Sequence, residues 1–468
     1  MQIPILAGIY TDNAPALRTS YPVNLQPVPK TQALGTEFLK PADGIIALGT
    51  GPGINRGAIE WNGDHYRVMG SQLCRIDSAG TLTDLGSVTI GSGNRVSMDY
   101  SFSRLAIASN QQLYYYDGTT LDLVTDPDLG VVLDVIWIDG YFMVTDGDTI
   151  VVTELNDPFA VNPLKYGSAE VDPDPIVALK KLRNEAYAIN RNSMEVFENV
   201  GGEGFPFSRI DGAFIPRGSI STSTCCVFMD AIAFIGGARN ESPSVWLGLN
   251  GKTQKISTQE LDSVLLQYSE SVLAESVLET RNDKSHSLLY VHLPDRTYVY
   301  DANASQELGE PVWHILTSTL DGFTQYRARD FVWSSNRWNC ANTQTNQYGY
   351  LTDQTGQHWG SRVRWEFGTT ILYNEGAKAI IHQMELVALT GRIAVGTEPR
   401  ITTSYSVDGR DWSQRLAITA GTTGATTKRL VWFQQGLIIN WRVQRFEGDS
   451  DAHISFARLE ASIEKLTN

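Results

Sequence analysis

RVSMDYSFSRLAIASNQQLYYYDGTTL, residues 95–121, decides the fold class. Val96, Met98 and Tyr100 alternate with polar neighbours, as do Leu105 and Ile107, and a period of two belongs to strands with one face buried. Ser101–Ser103 supplies a turn between the two strands and Asn110–Gln112 a second turn. Leu113–Tyr116 then makes a third strand that stops at Asp117-Gly118. A sheet this small cannot cover both of its faces, so it requires neighbours of its own kind.

The chain supplies them. About 40 residues upstream, GAIEWNGDHYRVMGSQLCRID (57–77) repeats the pattern, with Asn62-Gly63 fitting a type I′ hairpin turn and Arg75-Ile76-Asp77 standing where Tyr115-Tyr116-Asp117 stands. Looser copies begin at Val131, Pro175, Cys225 and His286, and a last one runs from Asp330 through WNCANTQTNQYGYLTD. The spacing suits blades of three or four strands, and predicts an all-β chain with a closed β-propeller of six or seven blades over 44–354. One short helix interrupts it. Ser257 and Glu260 fit a capping box, and Leu261, Val264, Leu265 and Tyr268 share one helical face, which predicts a helix from Thr258 to about Tyr268 docked on the propeller.

On either side the pattern changes. Residues 1–43 contain YPVNLQPVPK, whose prolines favour an extended arm over a packed sheet, and such an arm needs a surface, its own propeller or a neighbouring subunit; Tyr21, Pro22, Val23, Asn24 and Leu25 are expected to dock on a partner or a neighbouring subunit. Residues 355–468 carry longer alternating runs such as AKAIIHQMELVALTG and KRLVWFQQGLIINWRVQRFE, the pattern of a separate antiparallel β-sandwich.

The composition narrows the function. With 37 Lys and Arg against 52 Asp and Glu, the net charge is −15, which argues against general affinity for a phosphate backbone. Four cysteines in 468 residues, two of them adjacent at Cys225-Cys226, read as packed thiols and not as a disulfide framework. The N-terminus lacks a basic region and has Pro4 within its apolar run, unlike a signal peptide, and no apolar stretch approaches membrane-spanning length.

Chemistry finds little footing. The 7 histidines lack metal-ligand spacing, and TDPDLG and VDPDPI lack the alternating ligands of a calcium loop and read as turns. GTGPG (49–53) lacks the Lys-Ser/Thr ending of a phosphate loop and reads as a lead-in to the first blade. Ser406–Trp412 approaches the Asp-box of sialidase propellers, but its glycine comes one position early and there is one copy. No catalytic, cofactor-binding or metal residue is therefore assigned, and no cofactor is expected. Trp61, Trp137, Trp246, Trp313, Trp333 and Trp338 suit sugar stacking as well as a core, so a propeller glycosidase or lectin acting on surface polysaccharide is the alternative reading. A cytosolic protein-binding propeller is a third.

The order of features resembles the packaged-DNA stabilisation proteins of short-tailed bacteriophages, their tail hub or nozzle proteins. Residues 21–25 (YPVNL), Arg56-Gly57-Ala58, Tyr66-Arg67-Val68 and Gly93–Met98 carry the likeness. Ser242–Val245, Val277–Thr280, Val291–Pro294 with Val299–Ala302, Ser406–Gly409 and Lys428–Trp432 continue it to the C-terminal end. The resemblance implies a non-enzymatic virion tail protein, assembled in the bacterial host cytoplasm as a homohexameric ring beneath the portal-adaptor ring. Such a ring closes the head after packaging, holds the tail needle or plug, and gives purchase to tailspikes or fibres. DNA passes through its channel without sequence-specific binding.

Overall fold

The computed structural model describes residues 2–5, 21–29, 37–91, 95–155, 157–374, 377–391 and 398–466. Seven antiparallel sheets follow one another along the chain: 55–87, 97–123, 134–167, 176–209, 218–255, 277–316, and 328–352 joined by 44–50. Six have four strands and the fifth has an extra short one. Their innermost strands are Asn55–Trp61, Ser97–Tyr100, Asp134–Ile138, Ile176–Leu182, Cys225–Phe228, Val277–Asp283 and Ala328–Ser334. Each lies beside the next, and the last lies beside the first, so the propeller is closed with seven blades.

Hairpin chemistry explains much of the repetition. Asn62 (φ 53°) and Gly63 (φ 86°) form the expected turn, and paired left-handed residues recur at Asn110-Gln111, Lys284-Ser285 and Ser335-Asn336. Tyr115 and Leu113, on the third strand of the second blade, are fully buried against Phe142 and Val144 of the third.

Closure uses a strand from far away in sequence. Gly44–Thr50 pairs with Gln347–Thr352 as the outermost strand of the seventh blade, with Gly44 opposite Thr352 and Thr50 opposite Gln347. Gly49 and Thr50 of the glycine-rich segment thus belong to a strand, not to a lead-in loop.

Blades are braced to one another by inner-strand carboxylates. Asp99 accepts the Trp137 N–H at 2.6 Å, Asp134 the Leu179 N–H at 2.9 Å, and Glu279 the Phe331 N–H at 3.1 Å. Each spans from one blade to the next, where a backbone donor on the inner strand would otherwise go unpaired.

The sandwich has two sheets. One runs, in spatial order, Leu25–Pro29, Glu37–Pro41, Phe456–Lys465, Ala379–Ala388, Leu430–Ile438, with Gln2–Ile3 also on Phe456–Lys465; the other runs Arg364–Gly368, Trp441–Asp449, Arg400–Ser406, Leu416–Thr419. Ile3, Leu25, Leu39, Phe367, Phe446 and Phe456 meet in the core between them. The described part of the first 43 residues is therefore largely sheet, not a free extended arm. Pro27 and Pro29 fit because Leu25–Pro29 is an edge strand, where a missing N–H costs no ladder bond.

The helices also differ from the expectation. The segment after Ser257 forms two short helices, Gln259–Leu265 and Glu270–Leu273, preceded by Thr258 and Ser269 at the N-cap positions. Ser257 Oγ instead donates to Asp262 at 2.6 Å and accepts the Val245 N–H. Leu261, Val264 and Leu265 are buried against the fifth and sixth blades. A further helix, Ala302–Leu308, is capped by Asp301, which accepts the Ala304 N–H at 3.1 Å, and ends at left-handed Gly309. Among the described residues no helix is long and apolar enough to cross a membrane.

Candidate functional site

The segment singled out for docking is a rivet inside its own chain. Val23 lies between the two domains: its N–H donates to the Glu366 carbonyl of the sandwich at 2.8 Å, and the residues on either side of it bond Ile315 of the sixth blade. Pro22 O accepts from Ile315 N at 2.8 Å, and Asn24 N donates to Ile315 O at 2.8 Å. Val23 is buried in the core of the fifth and sixth blades, while Leu25, two residues on, is buried in that of the sandwich.

Asn24 turns the chain between those cores at φ 52°. Its side-chain amide donates to Thr317 O (3.0 Å) and Arg364 O (2.7 Å) and accepts from Thr317 N (3.1 Å), gripping both domains at once. The Tyr21 hydroxyl donates to Glu260 at 2.7 Å and contacts Thr258, with its ring edge-on to Tyr298. Burial, then the Glu260 carboxylate, raises its pKa well above the usual phenol value. Of the two surfaces open to such an arm, residues 21–25 use those of their own chain, with Val23 and Asn24 bonded to both the sixth blade and the sandwich. The cavity beside the joint, lined by Asn24, His358, Arg364 and His453 among others, measures ≈ 20 Å³, room for about one water.

A second junction closes the propeller. Arg95 donates to Asp330 Oδ1 at 2.6 Å, Asn55 donates to Asp330 Oδ2, and Arg67 bridges Asn55 Oδ1 (2.7 Å) and the Asp330 carbonyl (2.8 Å). Asp330 sits at φ 56° in a β-bulge of the seventh blade, so one residue ties that blade to the first blade and to the lead-in of the second. Burial opposes its ionisation, but Arg95 and Arg67 outweigh burial and hold its carboxyl well below the ordinary range. Sequence reasoning gave Asp330 no role beyond opening the last repeat, since an acid in a strand reads as a solvent-facing position.

The features weighed for catalysis take structural places. Asp126 accepts the Asp128 and Val161 N–H groups, closing a turn between blades. Asp174 accepts from Asn192 N and Ser193 Oγ. The Asp-box-like stretch lies in the sandwich, where Asp408 accepts from Arg410 N and Asp411 N at 2.9 Å each. Cys225 and Cys340 are buried, and burial pushes their thiols up to about 11 and about 12, away from nucleophilic thiolate. Of the six tryptophans weighed for sugar stacking, Trp61, Trp246 and Trp313 are buried and Trp333 is the most exposed, beside Trp338 at 5.4 Å. No group of three His, Cys, Asp or Glu side chains among the described residues is placed to hold a metal.

Two family models match in the order in which the domains occur: "Bacteriophage P22 Gp10, beta-propeller" over residues 1–356 and "Bacteriophage P22 Gp10, beta-sandwich" over 364–464. The chain belongs to this family. It is 27% identical over 459 residues to the tail hub protein gp10 of Salmonella phage P22, covering 93% of this chain and 94% of that one. Among solved structures it is similar to virginiamycin B lyase from Staphylococcus aureus (10% identity, 66% of this chain and 98% of that one, TM-score 0.43). It is similar too to the WD40 domain of Neurospora crassa Pan2 (11%, 66% and 94%, TM-score 0.40). Likenesses at that level bear on no function. The family's two domain names agree with the all-β propeller and sandwich read from the sequence.

Proposed function

We propose that this chain is the structural tail hub, or nozzle, of a short-tailed phage virion. It forms a ring, of six copies in this reading, beneath the portal adaptor, closes the channel after packaging, and carries the needle or plug and the tailspikes or fibres. The carrying observation is collinearity: both domains of a phage family match in order, and a protein named as a tail hub aligns over 93% of the chain. The role is non-enzymatic, with the propeller (44–354) as the body and the sandwich (355–468, completed by strands from residues 2–41) supplying ring and partner contacts. An excess of 15 negative charges suits a conduit that DNA must leave without being gripped, because lysine- and arginine-lined walls hold phosphates with a steep salt dependence.

The test is a phage with a nonsense codon in this gene. Its heads should package DNA, then lose it on purification, and the purified protein added back should restore retention and infectivity. Mutant particles that keep their DNA and infect normally would overturn the reading.

A further inference from the structure

The net charge is not spread over the molecule. Residues 44–354 hold 38 Asp and Glu against 21 Lys and Arg, whereas 355–468 hold 11 against 13, so the whole excess sits in the propeller. Within the propeller it concentrates again: residues 117–174 carry thirteen Asp and Glu and a single Lys. That block is the edge of the second blade, the third blade and the loops on either side of it.

The acidic block also exposes apolar side chains. Leu155, Leu164 and Tyr166, on and beside the outer strand of the third blade, are 54%, 81% and 56% exposed. Asp128, Asp148 and Glu170 stand exposed in the loops around that blade and, among the described residues, accept no hydrogen bond. The loops converge, because Leu133 N bonds Thr145 O and Ile176 N bonds Gly147 O, both at 2.8 Å.

The sandwich has a counterpart. Its sheets lie against the propeller through Leu25–Pro29 and Arg364–Gly368, so the opposite edge strands, Leu430–Ile438 and Leu416–Thr419, both face away. Phe433 (66% exposed), Leu437 (43%) and Leu416 (44%) lie on those strands, and residues 412–440 contain three cations and no carboxylate. Arg415 and Arg429 rest on Glu447 and Glu385 yet leave about two thirds of their side chains in solvent (65% and 66%); Lys428 is exposed beside them.

These surfaces occupy opposite ends of the molecule. The sandwich is fastened to the sixth blade through Ile315 and to the seventh through Ile45, and half a turn around seven blades from that junction lies the third blade. One copy therefore cannot bring its two ends together, whereas two copies can, head to tail. A head-to-tail contact repeats into a closed ring when its rotation closes. Apolar centres rimmed by opposite charge are the anatomy of a specific interface.

We propose that the outward edge of the sandwich in one copy, around Leu416, Lys428 and Phe433, docks on the acidic third blade of a second copy, around Asp128, Leu164 and Glu170. This deepens the hub reading by naming the surfaces that join its copies, and it is testable on purified protein without any virion.

Two triple variants separate the ends: Asp128→Lys/Asp148→Lys/Glu170→Lys, and Arg415→Glu/Lys428→Glu/Arg429→Glu. Sedimentation velocity at low salt should show the unaltered protein assembling, and each variant weakened at least about 100-fold with unchanged circular dichroism. Mixed in equal amounts, the two variants should assemble again, because each altered surface now faces its complement. Unaltered protein that stays monomeric at all concentrations, variants that assemble as the parent does, or a mixture that fails to assemble would each overturn the proposal. The nonsense-mutant test of the hub role stands apart: a monomeric protein that still restores infectivity would sink this contact and leave the hub.

Discussion

Replacing Asp330 tests whether the propeller is locked at one carboxylate. Asp330→Asn keeps the size and the tolerance for the left-handed backbone but removes the charge that faces Arg95 and Arg67. The Asp330 side chain is 8% exposed and that of Arg95 31%, so the pair is mostly desolvated and lies nearer the buried than the surface limit. Removing one partner of a buried pair costs about 3–5 kcal/mol. Arg95 keeps some access to water, so about 3 kcal/mol is expected for the asparagine variant. Asp330→Ala adds an orphaned Asn55 amide and about 1 kcal/mol for a Cβ at positive φ, and should fall near 4–5 kcal/mol. The assay is urea unfolding followed by tryptophan fluorescence, with hydrogen exchange on Gly44–Thr50, the strand that completes the same blade. Faster exchange there than in the third blade is expected. An asparagine variant within about 0.5 kcal/mol of the parent, the range of ordinary surface changes, would refute the lock.

Three further outcomes follow from the joint and from burial. Asn24→Ala should lose about 3–5 kcal/mol, since it strands the buried Thr317 N–H and two carbonyls and puts alanine at φ 52°; Asn24→Gly should recover about 1 kcal/mol of this in the same urea titration. Stability should fall as pH drops from about 6.5, because burial lowers His314 to about 4 and His358 to about 3, and holds His65 well below its ordinary value. The unfolded chain then binds protons that the folded one refuses, and Asp330 adds to the loss below about pH 4; a flat profile between pH 7 and 4 would contradict this. Deleting residues 2–41 should strip three strands from the sandwich and leave it open to protease, while the propeller survives as a resistant fragment on mass spectrometry. Equal resistance of both domains would show those strands to be dispensable.

What the sequence made legible was local. Alternation and two-residue turns reveal the blades because Asn62-Gly63 or Asp139-Gly140 dictates a hairpin whatever surrounds it. The closing strand was not legible: GIIALGT carries no sign that its partner is Gln347–Thr352, at the far end of the domain. Residues 25–29 were hidden by their prolines, which speak against a central strand and are silent about an edge. The joint was half legible, in that Tyr21–Leu25 stood out as a segment needing a surface, yet nothing in five residues tells an internal surface from a neighbour's. The inner carboxylates Asp134, Glu279 and Asp330 were invisible for a related reason: an acid in a strand reads as a solvent-facing position until the blade beside it supplies the donor.

Both seams join the start of the chain to its later part, and this sets an order of events. Gly44–Thr50 must wait for Gln347–Thr352, and Val23 for Ile315 and Glu366. Loop-closure entropy grows only with the logarithm of length, so closing across about 300 residues costs about 2 kcal/mol more than closing one blade of about 40. The seam is thermodynamically easy, but it is kinetically late, since non-local strands meet after local hairpins have formed. Contacts made late are absent from the transition state, and their loss appears in the unfolding rate and not in the folding rate. Asp330→Asn should therefore speed unfolding about 100-fold for a loss of about 3 kcal/mol and leave refolding nearly unchanged. Substitution at the turn Asn62-Gly63, a local contact within the first blade, should slow refolding instead. Stopped-flow unfolding and refolding of the two variants distinguishes these cases, and an Asp330 variant that slows refolding would place propeller closure early, before the blades are complete.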